Sequence, residues 1–318
     1  MKPEKIFVTG AAGQIGSELV PALREKYGKD NVIALYHHNV PKDAGKHIIG
    51  DAGDKALMEK IIKENDITVV YHLVGILSAK GEQNPDLAYN VNMGTLKTIL
   101  DIAKDRKNAG KPIKIFWPSS IAAFGPTTPR DKTPQKTILE PATMYGVTKV
   151  AGELLVNYYF KKFGLDIRGL RYPGIISWKT PPGGGTTDYA VEIFYGALKE
   201  KKYTSFLKAG TYLPMMYMDD AVRATIELME ADPSKISIRT SYNITAISFA
   251  PEEIAAEIKK HIPEFSISYK DDFRQQIADS WPKSIDDSSA RKDWAWKHTY
   301  GLAEMTSDML KNLGPMLK

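Results

Sequence analysis

Ile6-Phe7-Val8-Thr9-Gly10-Ala11-Ala12-Gly13-Gln14-Ile15-Gly16 decides how the rest of the chain is read. A short apolar run meets three glycines spaced three apart, and a helical pattern follows from Glu18 to Tyr27. Strand, glycine turn and helix form the context that a dinucleotide fingerprint requires. Gly10 permits a tight turn, Gly13 lets the backbone approach a pyrophosphate, and Gly16 lets the helix pack closely on the strand. The helix N-terminus offers unpaired N–H groups and a partial positive charge to phosphates. Taken in isolation, the same residues would also make a glycine-rich turn with no ligand.

Working outward, Asn31 to Tyr36 reads as a second strand. A NAD-selective fold usually carries an acid near its end to bind the ribose hydroxyls. Tyr36 stands there instead, followed by His37 and His38, with no arginine for a 2′-phosphate. Further segments alternate: strand Lys46–Gly50, helix Lys55–Asn65 capped by Asp51 or Asp54, strand Ile67–Val74, helical patterns Pro85–Arg106, strand Ile113–Trp117. This alternation predicts an α/β fold, a doubly wound parallel sheet with a smaller C-terminal substrate lobe. The last of these strands delivers Ser119 and Ser120 at its C-terminal end, where ligands bind in open α/β sheets.

A helix is expected over Met144–Phe163, with Pro141 and Thr143 in its capping region and Gly152 allowing close packing. It carries Tyr145 and Lys149, four residues apart and so on one face. An ammonium held near a phenol favours the phenolate, which would make Tyr145 a usable base. A serine hydroxyl would complete the set by bonding the oxygen whose proton moves. The plain alternative is one buried tyrosine and one solvated lysine.

Leu165 to Leu170 reads as another strand, followed by Arg171-Tyr172-Pro173-Gly174. The texture then changes at Pro181-Pro182-Gly183-Gly184-Gly185-Thr186-Thr187, a loop and lobe boundary. Helices are expected over Asp188–Leu198, from Asp220 to near Glu230, and over Glu252–His261 with Pro251 at the first turn; Tyr242–Ile244 is a last strand. Met215, Met216 and Met218 read as core gap-fillers. Residues 1–176, with 216–247 returning to them, would form the dinucleotide-binding domain. Residues 177–215 and 248–318 would form the substrate lobe.

Composition narrows the function. Among 318 residues, 43 basic and 38 acidic side chains are interspersed for a net charge of +5, with no basic block to suggest nucleic acid. Absence of cysteine excludes disulfides, thiolate catalysis and Cys-ligated zinc. Six histidines without a His-Glu-x-x-His pattern predict no metal. No signal-like leader precedes the first strand and no apolar run matches a bilayer, so a cytoplasmic location is expected.

The Gly-x-x-Gly-x-x-Gly spacing and Ser120, 25 positions before Tyr145, resemble the extended short-chain dehydrogenases/reductases. Longer stretches are similar to the short-chain type of L-threonine 3-dehydrogenase. These are Phe116 to Pro129, Arg171 to Trp178, Thr180 to Ala190, Leu213 to Asp220 and Ser280 to Asp287. That resemblance implies metal-free oxidation of the threonine 3-hydroxyl by NAD⁺, with Tyr145 as base, Lys149 on the nicotinamide ribose and Ser120 on the reacting oxygen. It implies cofactor contacts at Gly10, Gly13, Gln14, Ile15, Gly16, Asp51, Ala52, Leu73, Tyr145, Lys149, Tyr172 and Pro173. For the amino acid it implies Ser78, Ser120, Tyr145, Gly184, Thr186 and Trp281, with N–H groups of Gly183–Gly185 free to hold the carboxylate. It also implies a homodimer formed through the long helices. A nucleotide-sugar epimerase or dehydratase, or a non-catalytic nucleotide-binding protein, would share the fold.

Overall fold

The computed structural model describes residues 4–270 and 272–317. Met1–Pro3, which the sequence places ahead of the first strand, lie outside the described residues. The chain begins with β1 (Ile6–Thr9), α1 (Gly16–Tyr27), β2 (Val32–Tyr36), β3 (His47–Ile49), α2 (Lys55–Glu64), β4 (Val69–His72), α3 (Ser78–Gln83), α4 (Pro85–Asn108) and β5 (Lys114–Phe116). It continues with β6 (Ser119–Ser120), α5 (Met144–Phe163), β7 (Ile167–Arg168), β8 (Leu170–Tyr172) and β9 (Gly174–Ile176). Then follow α6 (Tyr189–Glu200), β10 (Lys202–Ser205), β11 (Leu213–Tyr217), α7 (Met218–Glu230), β12 (Tyr242–Asn243), β13 (Ile247–Phe249) and α8 (Pro251–Lys259). β14 (Ser266–Tyr269), α9 (Arg274–Asp279), α10 (Ser288–Trp294) and α11 (Leu302–Met316) complete the described chain.

A six-stranded parallel sheet runs in the order β3-β2-β1-β4-β5-β7. Strand order reverses between β1 and β4, which opens a crevice at their C-terminal ends. Every residue of β1, β2 and β4 is buried, as a sheet covered on both faces demands. Side chains alternate between two cores with period two. Ile6 and Val8 pack in one core with Leu19, Leu23 and Leu228, whereas Phe7 packs in the other with Met58, Leu96 and Val156. Beyond β5 the path continues in a second parallel set, β12-β8-β6, where Ser119 and Ser120 pair with Arg171 and Tyr172.

The predicted strand Leu165–Leu170 is in fact two, broken at Gly169. A Cβ there would lie 2.5 Å from the Ser241 hydroxyl and 2.6 Å from the Trp117 carbonyl, so the backbone is pinned between neighbours. Asp54 is the cap of α2, accepting from the Leu57 N–H at 3.0 Å, while Asp51 accepts from the Gly53 N–H at 2.8 Å. Thr143 caps α5 through the Gly146 N–H at 3.1 Å, and left-handed Gly164 ends it. Gly152 lets α5 sit against Trp117, whose ring would be 2.4 Å from a Cβ at that position.

A third core gathers α6, β11 and the C-terminal helices around Tyr189, Phe194, Met215, Phe249, Trp281 and Met309. Met215, Met216 and Met218 are all buried, as expected of gap-fillers. The helices α3, α9, α10 and α11 are not anticipated by the sequence pattern. No helix among the described residues is long and apolar enough to cross a membrane.

Candidate active site

The glycine turn takes the shape its sequence predicts. Gly10 has φ +69°, and a Cβ there would stand 2.8 Å from the Leu73 carbonyl carbon. Only glycine fits, so the turn lies flush against the end of β4. The Gly13 N–H closes the turn on the Gly10 carbonyl at 3.0 Å. Gly16 faces the turn: its Cβ would strike the Gly10 carbonyl oxygen at 2.4 Å. Gly16 shapes the turn from behind and does not line the cleft. Gly10, Gly13, Tyr36, His37, Asp51 and Ala52 line one end of the crevice, which continues past Leu73 and Gly75. This is an elongated site with small residues at the turn, an α-helix N-terminus behind them and an acid on the far wall. It fits a dinucleotide.

The other end of the crevice gathers most of the remaining sequence-predicted residues. Gln14, Ile15, Leu73, Ser78, Ser120, Tyr145, Lys149, Tyr172, Pro173, Thr186 and Trp281 all line it, although they come from widely separated segments. Tyr145 and Lys149 project from one face of α5, and the Lys149 ammonium lies 5.3 Å from the Tyr145 ring centre. It also lies 4.7 Å from the Trp117 ring centre and donates to the Pro118 carbonyl at 2.6 Å. Ser120 accepts from the Ala122 N–H at 3.2 Å, which fixes its hydroxyl toward the phenol.

Burial sets the protonation of this pair. It pushes the Tyr145 phenol up to about 12, against a lowering hydrogen bond from Ser120. It pushes Lys149 down to about 7, against the raising charge of Glu153. The sequence leads one to expect the ammonium to lower the phenol. In the protein alone, loss of hydration dominates, and the group that lowers Tyr145 is Ser120 and not Lys149.

Ser119, which by sequence could share the work of Ser120, has another role. It is buried and donates to Glu153 at 2.6 Å. Arg171 grips the same carboxylate at 2.6 and 2.8 Å and also bonds the Asn243 side chain and the Gln135 carbonyl, each at 3.0 Å. This buried ion pair ties β6, α5 and β8 together directly behind Ser120, Lys149 and Tyr172. A fully bonded buried pair is costly to break from one side. Its signal is present in the sequence: Glu153 follows Lys149 by one helical turn, and Arg171 adjoins Tyr172.

The second glycine run is arranged differently from the sequence expectation. The N–H groups of Gly183, Gly184 and Gly185 all donate to one oxygen of Asp188, at 2.7, 2.8 and 2.8 Å. A carboxylate of the chain already fills that nest, so these groups are not free for a substrate carboxylate. Gly184 does not line the cleft, whereas Gly185 and Asp188 do. Thr186 is 2 % exposed and its hydroxyl has no hydrogen-bond partner among the described residues. An unpaired buried hydroxyl is costly, and Thr186 lines the cleft together with Trp281.

His72, at the end of β4, is buried between the hydroxyls of Thr9 at 2.8 Å and Thr95 at 3.1 Å. Burial holds it neutral, pushed down to about 3. No group of three or more His, Asp or Glu among the described residues could hold a metal.

Comparison with known proteins bears on this site. Residues 6–245 match the model of the NAD dependent epimerase/dehydratase family. The chain is 49% identical over 313 residues to an uncharacterized epimerase/dehydratase of Staphylococcus haemolyticus, covering 97% of each chain. Among solved structures it is similar to L-threonine dehydrogenase from Clostridium difficile, with 51% identity, TM-score 0.95 and 99% of each chain covered. It is also similar to L-threonine dehydrogenase from Phytophthora infestans, with 50% identity, TM-score 0.95, and 98% of this chain and 100% of that one covered.

Proposed function

The chain belongs to the NAD dependent epimerase/dehydratase family, and on that premise we propose that it oxidises the 3-hydroxyl of L-threonine with NAD⁺, giving 2-amino-3-oxobutanoate and NADH. One observation carries the reading. Ser120, Tyr145 and Lys149 share one cavity with Thr186, whose buried hydroxyl has no partner among the described residues, in a chain half identical to L-threonine dehydrogenases over nearly its whole length.

The glycine turn and the N-terminus of α1 hold the phosphates. Asp51, Ala52 and Leu73 flank the adenosine end, and Gln14, Ile15, Tyr172 and Pro173 border the nicotinamide end. Bound there, NAD⁺ supplies the hydride acceptor. Tyr145 removes the proton of the 3-hydroxyl, and Ser120 bonds the same oxygen throughout. Lys149, oriented by the Pro118 carbonyl, bonds the ribose hydroxyls. Thr186 satisfies its hydroxyl on the amino acid, with Ser78 and Trp281 closing the sides. Residues 1–176 with 216–247 serve as the dinucleotide-binding domain, and 177–215 with 248–318 as the substrate lobe. Exposed Tyr89, Val147, Leu154 and Tyr158 on α4 and α5 support a homodimer formed through these helices.

The test is NADH formation with L-threonine, run beside NADP⁺, L-serine and L-allo-threonine. Tyr145→Phe should lower kcat by about 10²-fold or more while leaving NAD⁺ affinity within twofold (about 0.4 kcal/mol). If most of kcat survives in Tyr145→Phe, the assignment of the base is wrong. A nucleotide-sugar epimerase would give no net NADH. Among the described residues, Lys149 is the one Lys or Arg lining the cavity around Thr186, which leaves a sugar diphosphate short of partners.

A further inference from the structure

Glu18 is the third residue of α1, directly after the glycine turn, and is buried. A lone buried carboxylate is expensive, so its partners are informative. Both come from the stretch that leaves β9 and becomes the glycine-rich substrate loop. Ser177, itself buried, donates its hydroxyl to one carboxylate oxygen. The Lys179 ammonium lies 3.0 Å from the other. The Lys179 N–H donates in turn to the Ser177 hydroxyl at 3.1 Å. Two weaker fastenings run parallel: Gln14 donates to the Ile175 carbonyl at 3.2 Å, and the Ser17 and Thr180 hydroxyls stand 3.5 Å apart. One carboxylate therefore joins the first turn of the cofactor helix to the near leg of the loop that carries Thr186.

The two members of the ion pair differ in freedom. The Glu18 side chain is 5 % exposed, whereas Lys179 is 48 % exposed and opens onto the groove between α1 and α7. Glu18 is thus fixed to α1, and Lys179 is the member that can detach and reseat.

We propose that Glu18 is a positioning residue. It clasps the substrate loop to the helix that receives the cofactor phosphates, so that cofactor binding on α1 sets the loop and with it Thr186. This rests on the proposed cofactor site and adds to it a coupling: dinucleotide binding and ordering of the loop favour each other. Residues on opposite sides of the cleft are coupled because both bear on one carboxylate.

Hydrogen exchange of residues 178–188, measured with and without NADH, tests the clasp without turnover, and NADH affinity is followed separately by fluorescence. In the unaltered protein NADH should slow exchange across 178–188. In Lys179→Met, a half-exposed change that leaves the core intact, NADH should bind as before but give no added protection. Lys179→Arg should restore it. In Glu18→Gln the same loss should appear, with KM for L-threonine raised about tenfold and kcat within twofold. Wild-type protection by NADH that persists undiminished in Lys179→Met overturns the clasp and leaves the cofactor site standing. The absence of any NADH-dependent protection in the wild type, with binding intact, does the same. Failure of NADH to bind at all overturns the cofactor site and the clasp together.

Discussion

Two glycine runs border the cleft, and they put their backbone to opposite uses. Around Gly10 and Gly16 there is no room, and around Gly13 little: a Cβ at the first would meet the Leu73 backbone at 2.8 Å, one at Gly16 the Gly10 carbonyl at 2.4 Å, and one at Gly13 the same carbonyl at 3.2 Å. Around Gly183 and Gly184 there is open space, with nothing among the described residues within 4 Å of a Cβ. The first run uses glycine to bring backbone close to other backbone and leaves a helix N-terminus facing the cleft. The second wraps its N–H groups around Asp188 and presents to the cleft its downstream end, Gly185, Thr186, Thr187 and Asp188. In sequence both look like anion-binding loops. The difference lies in whether an anion of the chain itself is within reach, and in the second run Asp188 stands just beyond the last glycine.

The harshest way to probe the contrast is Gly10→Ala. The left-handed backbone alone costs about 1–2 kcal/mol, and the clash with Leu73 falls on main chain that cannot turn aside. We expect loss of measurable NADH binding in fluorescence titration and a lowered Tm. Normal affinity would mean that the turn is as open as the second run.

Next in size is the effect of pH, which separates the phosphate end from the reacting end. Tyr145 is pushed up to about 12, so the base form is scarce at neutral pH and grows about tenfold per unit as pH rises. The oxidative kcat/KM for L-threonine should climb steadily from pH 7 toward 10, with NADH affinity changing far less. Lys149, pushed down to about 7, loses its charge over the start of that range. The same shifts act on stability. Lys149 binds a proton less readily when folded, so its contribution rises from pH 7 to its ordinary value of 10.5, where the unfolded chain holds the extra proton. Tyr145 works in the reverse sense above pH 10, retaining its proton when folded and losing that contribution toward 12. A flat kcat/KM over pH 7–10 would remove Tyr145 as the titrating base.

What could be read from sequence divides along the same line. β1, the glycine turn and α1 are legible because one local pattern specifies all three, and the steric need at Gly10 is internal to it. Helix α5 is legible from Met144 to Phe163 because Thr143 and Gly164 punctuate it. The assembly of Ser78, Ser120, Tyr145, Thr186 and Trp281 is available only through resemblance, since no spacing rule joins residues so far apart in the chain. Ser120 is preferred over Ser119 in the sequence only through the spacing that resemblance supplies, and nothing there gives Ser119 a separate role. The distinction is made by Glu153 and Arg171, which capture Ser119 from behind once α5 and β8 are packed. The Lys149–Tyr145 pair is legible as geometry but not as electrostatics, because its protonation depends on how dry the finished cleft is. The tail helices carry short or mixed patterns whose apolar positions make sense only in the packed fold, α11 against α6 and α8 and α10 against β12.

Asp188→Ala probes the second run directly and should have a moderate effect. Removing the carboxylate frees three N–H groups at the cleft edge and loosens the loop that seats Thr186. Charge-assisted bonds of this kind are about twice as strong as neutral ones, so the loop should lose its set shape. KM for L-threonine should rise about tenfold, the coupling expected of a group that acts through another, while NADH affinity is unchanged. Asp188→Asn, which keeps an acceptor oxygen, should fall between the two.

Gly183→Ala should do least. Its backbone is not left-handed and a methyl group there meets nothing among the described residues. Its N–H survives the change and still reaches Asp188. Replacing glycine also removes freedom from the unfolded chain, worth about 0.4–1 kcal/mol of added stability where the conformation is compatible. We therefore expect kcat and KM within twofold of the parent and Tm unchanged or slightly higher. A large fall in kcat here would reveal that the run must bend further during turnover than its resting contact with Asp188 requires. It would place the glycines in the moving part of the loop, and the contrast with Gly10 would become one between a rigid turn and a hinge.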